Sequence, residues 1–235
     1  MDNVSGAFLD AFRLILSGDR GLMEIVGLSL RVTLTAVVIS CVLGLPLGAM
    51  LAATRFPGRT ALTILVNALM GLPPVVVGLL VYMMLSSSGP LGILQLLYTP
   101  AAMIIAQTVL VTPIIIALSR QVIDDLQAEY DEQLQSMGMS RPAMVPTLLF
   151  DARYSLITVS LAGFGRAVAE VGAVLIVGGN INHVTRVMTT TIALETSKGN
   201  LALALGLGMV LIALALVVNA AVMSLRRSAA RMAYA

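Results

Sequence analysis

Long stretches of the chain carry no charged residue, and their positions set the first reading. Residues 32–54, 60–119, 154–165 and 199–225 contain no Asp, Glu, Lys or Arg. A helix that crosses a bilayer needs about 20 mainly apolar residues, so each stretch is a span or part of one. The second is long enough for two, and Ser86, Ser87, Ser88, Gly89 and Pro90 near its middle supply turn chemistry. It reads as a helical hairpin. The third is short, but the apolar pattern runs on through Arg166 and Glu170 to Val177, where Gly178, Gly179 and Asn180 end it. The pattern predicts an all-α, polytopic membrane protein of about five transmembrane helices, over residues 25–52, 61–85, 100–119, 154–178 and 201–225.

Composition agrees: 58% of the residues are hydrophobic and 11% charged, against about 25% charged in an ordinary soluble domain. A water-soluble globule is excluded. The net charge of +2 gives no basic face for nucleic acid. Cys41 is the only cysteine and His183 the only histidine, so neither a disulfide within the chain nor a metal site is expected.

Where the cations sit gives the orientation, because short cytoplasmic loops hold the excess of Lys and Arg. With the amino terminus outside, Arg55, Arg59, Arg120, Arg141, Arg153, Arg226, Arg227 and Arg231 lie on the cytoplasmic side; Arg13, Arg20, Arg186 and Lys198 lie outside. Arg31 and Arg166 fall within spans, Arg31 close enough to an end to snorkel to the outer headgroups. The first 21 residues lack the pattern of a cleaved signal peptide. Ala7, Phe8, Ala11, Phe12, Leu14, Ile15 and Leu16 instead predict an amphipathic helix on the outer membrane surface. The whole chain, 1–235, reads as a single transmembrane domain.

The largest polar segment, Arg120 to Arg153, holds six acids and three arginines. A structureless loop of that length is uncommon, so two short helices are expected, one over Asp125–Met137 capped by Gly138 and one beginning near Arg141 and Pro142. The stretch Glu132, Gln133, Leu134, Gln135, Ser136, Met137, Gly138, with Leu148, Leu149 and Phe150 further on, resembles the cytoplasmic signature of the membrane-spanning subunits of ABC importers that work with an extracytoplasmic binding protein. That signature has a glycine six residues after a Glu-Ala-Ala start and a Leu-Pro later; the Glu132 to Gly138 spacing fits, while both alanines and the later proline are replaced.

Two further pieces look like molybdate, sulfate and tungstate permeases of that family. One is Gly163 to Ala173 with Gly178, Gly179, Asn180 and Ile181; the other is Gly71, Leu72, Pro73, Pro74, Val75, Val76, Val77 and Gly78. Thr185 to Thr190 and Leu194, Glu195, Thr196 are most similar to the tungstate branch. The resemblance implies a type I ABC importer permease fold with a cytoplasmic coupling helix, carried here by Glu132, Gln133, Leu134, Gln135, Ser136, Met137, Gly138, Met139 and Ser140. It also implies a homodimeric pathway in the bacterial inner membrane for a tetrahedral oxyanion, most closely tungstate, with molybdate or sulfate as alternatives. The expected partners are an ATP-binding subunit, a substrate-binding protein, a second permease copy and membrane lipid. No cofactor of its own is expected, since ATP would be bound by the partner subunit; no GxxxxGK[ST] phosphate loop is present, and the chain is not expected to be an enzyme.

Pathway candidates are Pro73, Pro74, Val75, Arg166, Glu170 and Gly172. The two prolines remove backbone donors in mid-membrane and should kink the second span; Pro113 should kink the third. Arg166 and Glu170 are four apart, hence on one face of a continuous helix. They either line the pathway or form a structural ion pair. In the outer loop, His183 faces the binding protein or solvent. Two other classes fit the sequence less well. An intramembrane hydrolase would need a base near Ser155 or Ser160, and His183 lies on the opposite membrane face in this topology. An autonomous secondary transporter lacks an evident inverted repeat.

Overall fold

The computed structural model describes residues 4–233, apart from the side chains of Val4, Ser5, Asp131, Leu134, Gln135, Pro142 and residues 225–233. The described elements are all helical: α1 (Val4–Leu16), α2 (Arg20–Ala53), α3 (Arg59–Met70), α4 (Pro74–Leu85), a 3-10 turn (Gly92–Leu94), α5 (Pro100–Ser136), α6 (Arg141–Asp151), α7 (Arg153–Val168), α8 (Gly172–Gly178), α9 (Met188–Ser197) and α10 (Leu201–Ala233). Three helices, α2, α5 and α10, are each long and apolar enough to cross a membrane; counting the bent pairs α3/α4 and α7/α8 as one span each gives five.

Two predicted spans are broken rather than kinked. The chain bends by 100° between α3 and α4. There Gly71 and Leu72 close α3 in a tight turn, their N–H groups bonding to Ala68 and Leu69 carbonyls at 3.1 and 3.3 Å. Pro73, extended at φ −61 and ψ 125, then becomes the N-cap of α4 with Pro74 in its first turn. A proline at that position loses nothing, because the first N–H groups of a helix have no intrahelical partner. The other break, a bend of 58°, separates α7 from α8, so residues 154–178 do not form the single helix expected. The third span differs in the opposite sense. Helix α5 passes Pro113 and runs unbroken for 37 residues, about 56 Å at 1.5 Å per residue. Residues 114–136 contain neither Gly nor Pro, so nothing stops the helix at the membrane boundary. The separate helix expected over Asp125–Met137 is therefore the free end of α5.

Packing sorts the residues into two compact units. One comprises 1–35, 73–107 and 168–219; the other comprises 36–72, 108–167 and 220–235. In the first, Leu22, Ile25, Met188 and Leu207 form a buried cluster flanked by Leu14, Ile15, Ile192 and Leu203, joining α1, the start of α2, α9 and α10. Helix α1 buries Ala7 and Ala11 and exposes Phe8, Leu9, Phe12 and Leu16. In the second unit α2 meets α5 at Gly44 and Gly48: a Cβ on Gly48 would fall 1.9 Å from Ser119 Oγ and 2.6 Å from the Ile116 carbonyl oxygen. Two small residues four apart let the backbones approach this closely. Exposed Leu, Ile, Val and Met recur along α2, α4 and α10; so much exposed apolar surface requires a hydrocarbon surrounding.

Candidate functional site

Two places carry the residues singled out by sequence. The first lies in the unit holding α4 and α8. These helices pack so closely that a Cβ on Gly78 would stand 2.7 Å from Ala173 Cα, and one on Gly172 would stand 2.9 Å from Val75 Cγ2. Val75 and Gly172, predicted separately, are thus brought into contact, just inside the starts of helices that both begin at a break. Pro73 and Pro74 set the entry to α4.

Glu170 sits in the break before α8 and is buried, 4% exposed. Its Oε1 accepts the Ala173 N–H at 3.0 Å, and its carbonyl accepts the Thr189 hydroxyl at 2.7 Å. The carboxylate therefore closes one of the open donors at the start of α8, a position that favours negative charge. Arg166 belongs to the other compact unit, where it stands in the last turn of α7. Because α7 ends at Val168, the four-residue spacing no longer dictates a shared face for Arg166 and Glu170. Beside Glu170 is a cavity of about 10 Å³, lined also by Ser29, Thr33, Gln107 and Thr189, enough for about one water.

The segment after α8, expected to be an outer loop, contains a short helix, α9. Asn180 has a left-handed φ of 50 and bonds to Thr190, Oδ1 accepting the hydroxyl at 3.0 Å. The Thr185 hydroxyl accepts the Ile181 N–H at 2.9 Å and donates to the Gly178 carbonyl. Ser29 on α2 accepts the Met188 N–H at 2.7 Å, closing an open donor of α9. His183 lies 2.8 Å from Glu24 through Nδ1, a partner 159 positions away. At the end of α9, Glu195 is buried and takes hydrogen bonds from Lys198 Nζ and Asn200 Nδ2, both at 3.0 Å. The Lys198 ammonium, helped by Asn200 and opposed by burial, holds its carboxyl below the ordinary carboxylate range.

The second place is the elbow between α5 and α6. Gly138 takes φ +75, a left-handed value, and the Met137 N–H bonds back to Gln133 O at 3.2 Å. Glu132, Gln133, Ser136, Met137, Gly138 and Ser140 are exposed and Met139 half-buried; the side chains of Leu134 and Gln135 lie outside the described residues. Helix α6 buries Met144, Val145 and Leu148 and leaves Phe150 66% exposed, as Met137 is at 70%. The guanidinium of Arg153 stacks over Phe150 and Tyr154, 4.2 and 4.6 Å from their ring centres. Below the elbow, Asp124 binds Arg59 at 2.9 Å and also Arg120. The Arg120–Asp124 spacing is legible on a helix; the Arg59 contact, 65 positions away, is not.

Comparison with known proteins decides the family. Residues 44–231 match the family described as "binding-protein-dependent transport system inner membrane component". The chain belongs to that family. Among its relatives is a probable anion ABC transporter permease protein of Haloferax volcanii, 40% identical over 204 residues, 85% of this chain and 88% of that protein. Another is the tungstate uptake system permease protein TupB of Peptoclostridium acidaminophilum, 36% identical over 226 residues, 96% of this chain and 99% of the relative. Of solved structures, a chain of the MetNI methionine ABC transporter in an inward-facing form superposes with a TM-score of 0.70 at 19% identity, covering 89% of this chain and 94% of that one. This permease is thus a multi-pass component of a binding-protein-dependent transport system, and its fold is that of ABC importer permeases.

Proposed function

We propose that the chain is the membrane subunit of an ABC importer for a tetrahedral oxyanion, tungstate in the first place. The near full-length similarity to a tungstate uptake permease carries this reading. Two copies would form the pathway, and Pro73, Pro74, Val75, Arg166, Glu170 and Gly172 are each candidates to line it. A binding protein would deliver the anion on the side of the amino terminus, taken as outside, with the carboxyl terminus in the cytoplasm. ATP would be bound and hydrolysed on a separate subunit docked at Glu132–Ser140. An exposed elbow with two exposed apolar side chains, rooted in the rigid end of α5, suits such a contact, because closure of the ATPases can then move α5 as a rigid lever.

Within the pathway the buried carboxylate of Glu170 disfavours tight anion binding, which transport requires if cargo is to leave. Proteoliposomes containing the permease, its ATPase subunit and the binding protein test the reading. ATP-driven tungstate uptake is expected, with molybdate and sulfate as competitors that rank the cargo. Flux by the permease alone would overturn it. Arg166→Gln should change transport and leave binding-protein affinity intact; a variant with unaltered uptake removes Arg166 from the pathway.

A further inference from the structure

Apart from the pathway candidates and the elbow, the first compact unit holds an open cavity of about 210 Å³ between the start of α2, the segment before α9 and the start of α10. Its polar lining is Asp19, Glu24, Asn182, His183 and Arg186. The backbone holds these residues in place. Asp19 caps α2, its Oδ1 accepting the Leu22 N–H at 2.9 Å. His183 keeps a left-handed φ of 60, uncommon for a residue other than glycine, while the Val184 and Thr185 N–H groups both turn back to the Ile181 carbonyl, at 3.2 and 3.0 Å. His183 Nδ1 lies 2.8 Å from Glu24 Oε2, which ties that turn to α2. Arg186 is different: half-buried, it makes no hydrogen bond or ion pair among the described residues, and its Nε is shielded from solvent. Its charge reaches Glu195, but that carboxylate accepts its hydrogen bonds from Lys198 and Asn200. A shielded cationic donor without an acceptor is costly and uncommon in a native structure.

The rest of the wall is apolar. Leu22 and Ile25 belong to the buried cluster against which Leu203 packs, and Leu28 also lines the cavity. Leu203 stands in the first turn of α10, at one end of the candidate span Leu201–Ser224, and Lys198 is the last charged residue before it. Asp19 and Glu24 stand likewise at the start of the candidate span Arg20–Ala53. Hydrocarbon excludes such charges, so the cavity opens where the headgroups lie. Polar and apolar walls meet there at the depth where a phospholipid changes from polar to apolar. The charges then choose among headgroups. Arg186 is one cation without an acceptor, whereas Asp19 and Glu24 are two carboxylates, each with one oxygen already engaged. An anion alone would gain the guanidinium and face both carboxylates; a zwitterion answers all three.

We propose that this cavity binds the headgroup of a zwitterionic phospholipid carrying a primary ammonium, with Arg186 taking the phosphate and Asp19 and Glu24 taking the ammonium. A guanidinium matches phosphate oxygens in paired, charge-assisted hydrogen bonds. A primary ammonium donates three hydrogen bonds, which a quaternary choline headgroup lacks. The space suffices, since a single water needs only about 10–15 Å³ of such volume. The glycerol end would lie against Leu28 and Leu203. A lipid held there joins α2, the turn at His183 and α10. The inference stands on the cavity itself and does not depend on transport; only its assignment to the outer leaflet rests on the proposed orientation.

The test titrates full-length permease in nonionic micelles with phosphatidylethanolamine, phosphatidylcholine and phosphatidylglycerol, read by native mass spectrometry and melting. Phosphatidylethanolamine should bind saturably and more tightly than the other two. Water-soluble glycerophosphoethanolamine, the same headgroup without acyl chains, should bind more weakly than the lipid. Arg186→Gln should weaken phosphatidylethanolamine about tenfold, the loss of one charge-assisted contact. Asp19→Asn keeps an acceptor for the Leu22 N–H while removing the charge, and should narrow the preference for phosphatidylethanolamine over phosphatidylglycerol. A purely structural role would not move that preference, and it decides the matter if Arg186→Gln fails to fold. Arg13→Gln, whose guanidinium instead faces Asp10 on α1 at 3.6 Å, should leave binding intact. Equal affinity for the three lipids, a preference unchanged in both Arg186→Gln and Asp19→Asn, or equal loss in Arg13→Gln would each overturn the site. Glycerophosphoethanolamine binding as tightly as the lipid would overturn the lipid assignment. No saturable lipid binding would overturn it too, and loss of binding-protein association in Arg186→Gln would then give the cavity to that partner.

Discussion

Two glycines, Gly78 at the α4–α8 junction and Gly138 at the α5–α6 elbow, are required for opposite reasons. Gly78 lies in ordinary helix, but its missing Cβ is the space that Ala173 Cα occupies at 2.7 Å. Gly138 has nothing within 4 Å, yet holds φ +75. The first region tolerates no added volume because the neighbour is backbone and cannot rotate away. At the second an added Cβ meets nothing within 4 Å among the described residues, so backbone torsion sets the limit. One is a fixed contact inside a compact unit; the other is an exposed hinge point where a partner could bear.

Filling Gly78 should have the largest effect. Gly78→Ala gains about 1 kcal/mol of helix propensity, which the clash outweighs, since overpacking costs about 1–3 kcal/mol even where side chains can shift. Gly78→Val should lose most folded protein by size-exclusion and melting, whereas Gly208→Ala, with nothing within 4 Å, should be neutral. A stable Gly78→Val protein would break the contrast. Next comes Gly138→Val, with a local cost of about 1–2 kcal/mol for a left-handed non-glycine residue. Melting should move little while co-purification of the ATPase subunit falls; Gly138→Asn, tolerant of that torsion, should retain it. Unchanged association in Gly138→Val would detach the elbow from coupling.

A smaller loss, about 1 kcal/mol, is expected for Glu170→Ala from removal of the α8 cap, read by melting, with Glu170→Gln retaining an acceptor and most of that stability. Transport altered in a stable Glu170→Gln protein would give the carboxylate a charge role beyond capping. The smallest effect is that of acid on Glu195. Its lowered pKa means a stabilising contribution that is present above the ordinary carboxylate range and lost as pH falls through the lowered value. Melting curves from neutral to acid pH should show the wild type losing stability relative to Glu195→Gln only below that range; parallel curves would assign the acid sensitivity elsewhere.

Particular residues show how far the sequence could be read. The number of apolar segments was legible because hydrocarbon demands an uninterrupted run of apolar side chains, and Gly138 was legible as a helix stop. The break at Gly71–Pro73 could have been sharper from the double proline, where Pro74 in a first turn costs nothing. The break before Gly172 had no local signal, since Gly163 to Gly178 reads as helix throughout. It depends on Val75 packing against Gly172 and on Glu170 closing the Ala173 N–H. Ser29 reaching Met188, Glu24 reaching His183, and Arg59 reaching Asp124 were out of view for the same reason: each joins positions at least 65 apart in the chain.

By itself the sequence determined that this chain lives in a membrane, that its apolar residues fall in runs fit for three to five spans among the described residues, and that one long polar segment separates two of those runs. Those are properties of runs of residues, set by the cost of placing charge and unpaired backbone in hydrocarbon. Only the tertiary structure decided where the helices break, that Glu170 closes a backbone donor at the start of α8, and that Arg59 and Arg120, on separate helices, share the Asp124 carboxylate. These follow from close approach between distant segments, and the energy of such a contact is not written in either segment alone.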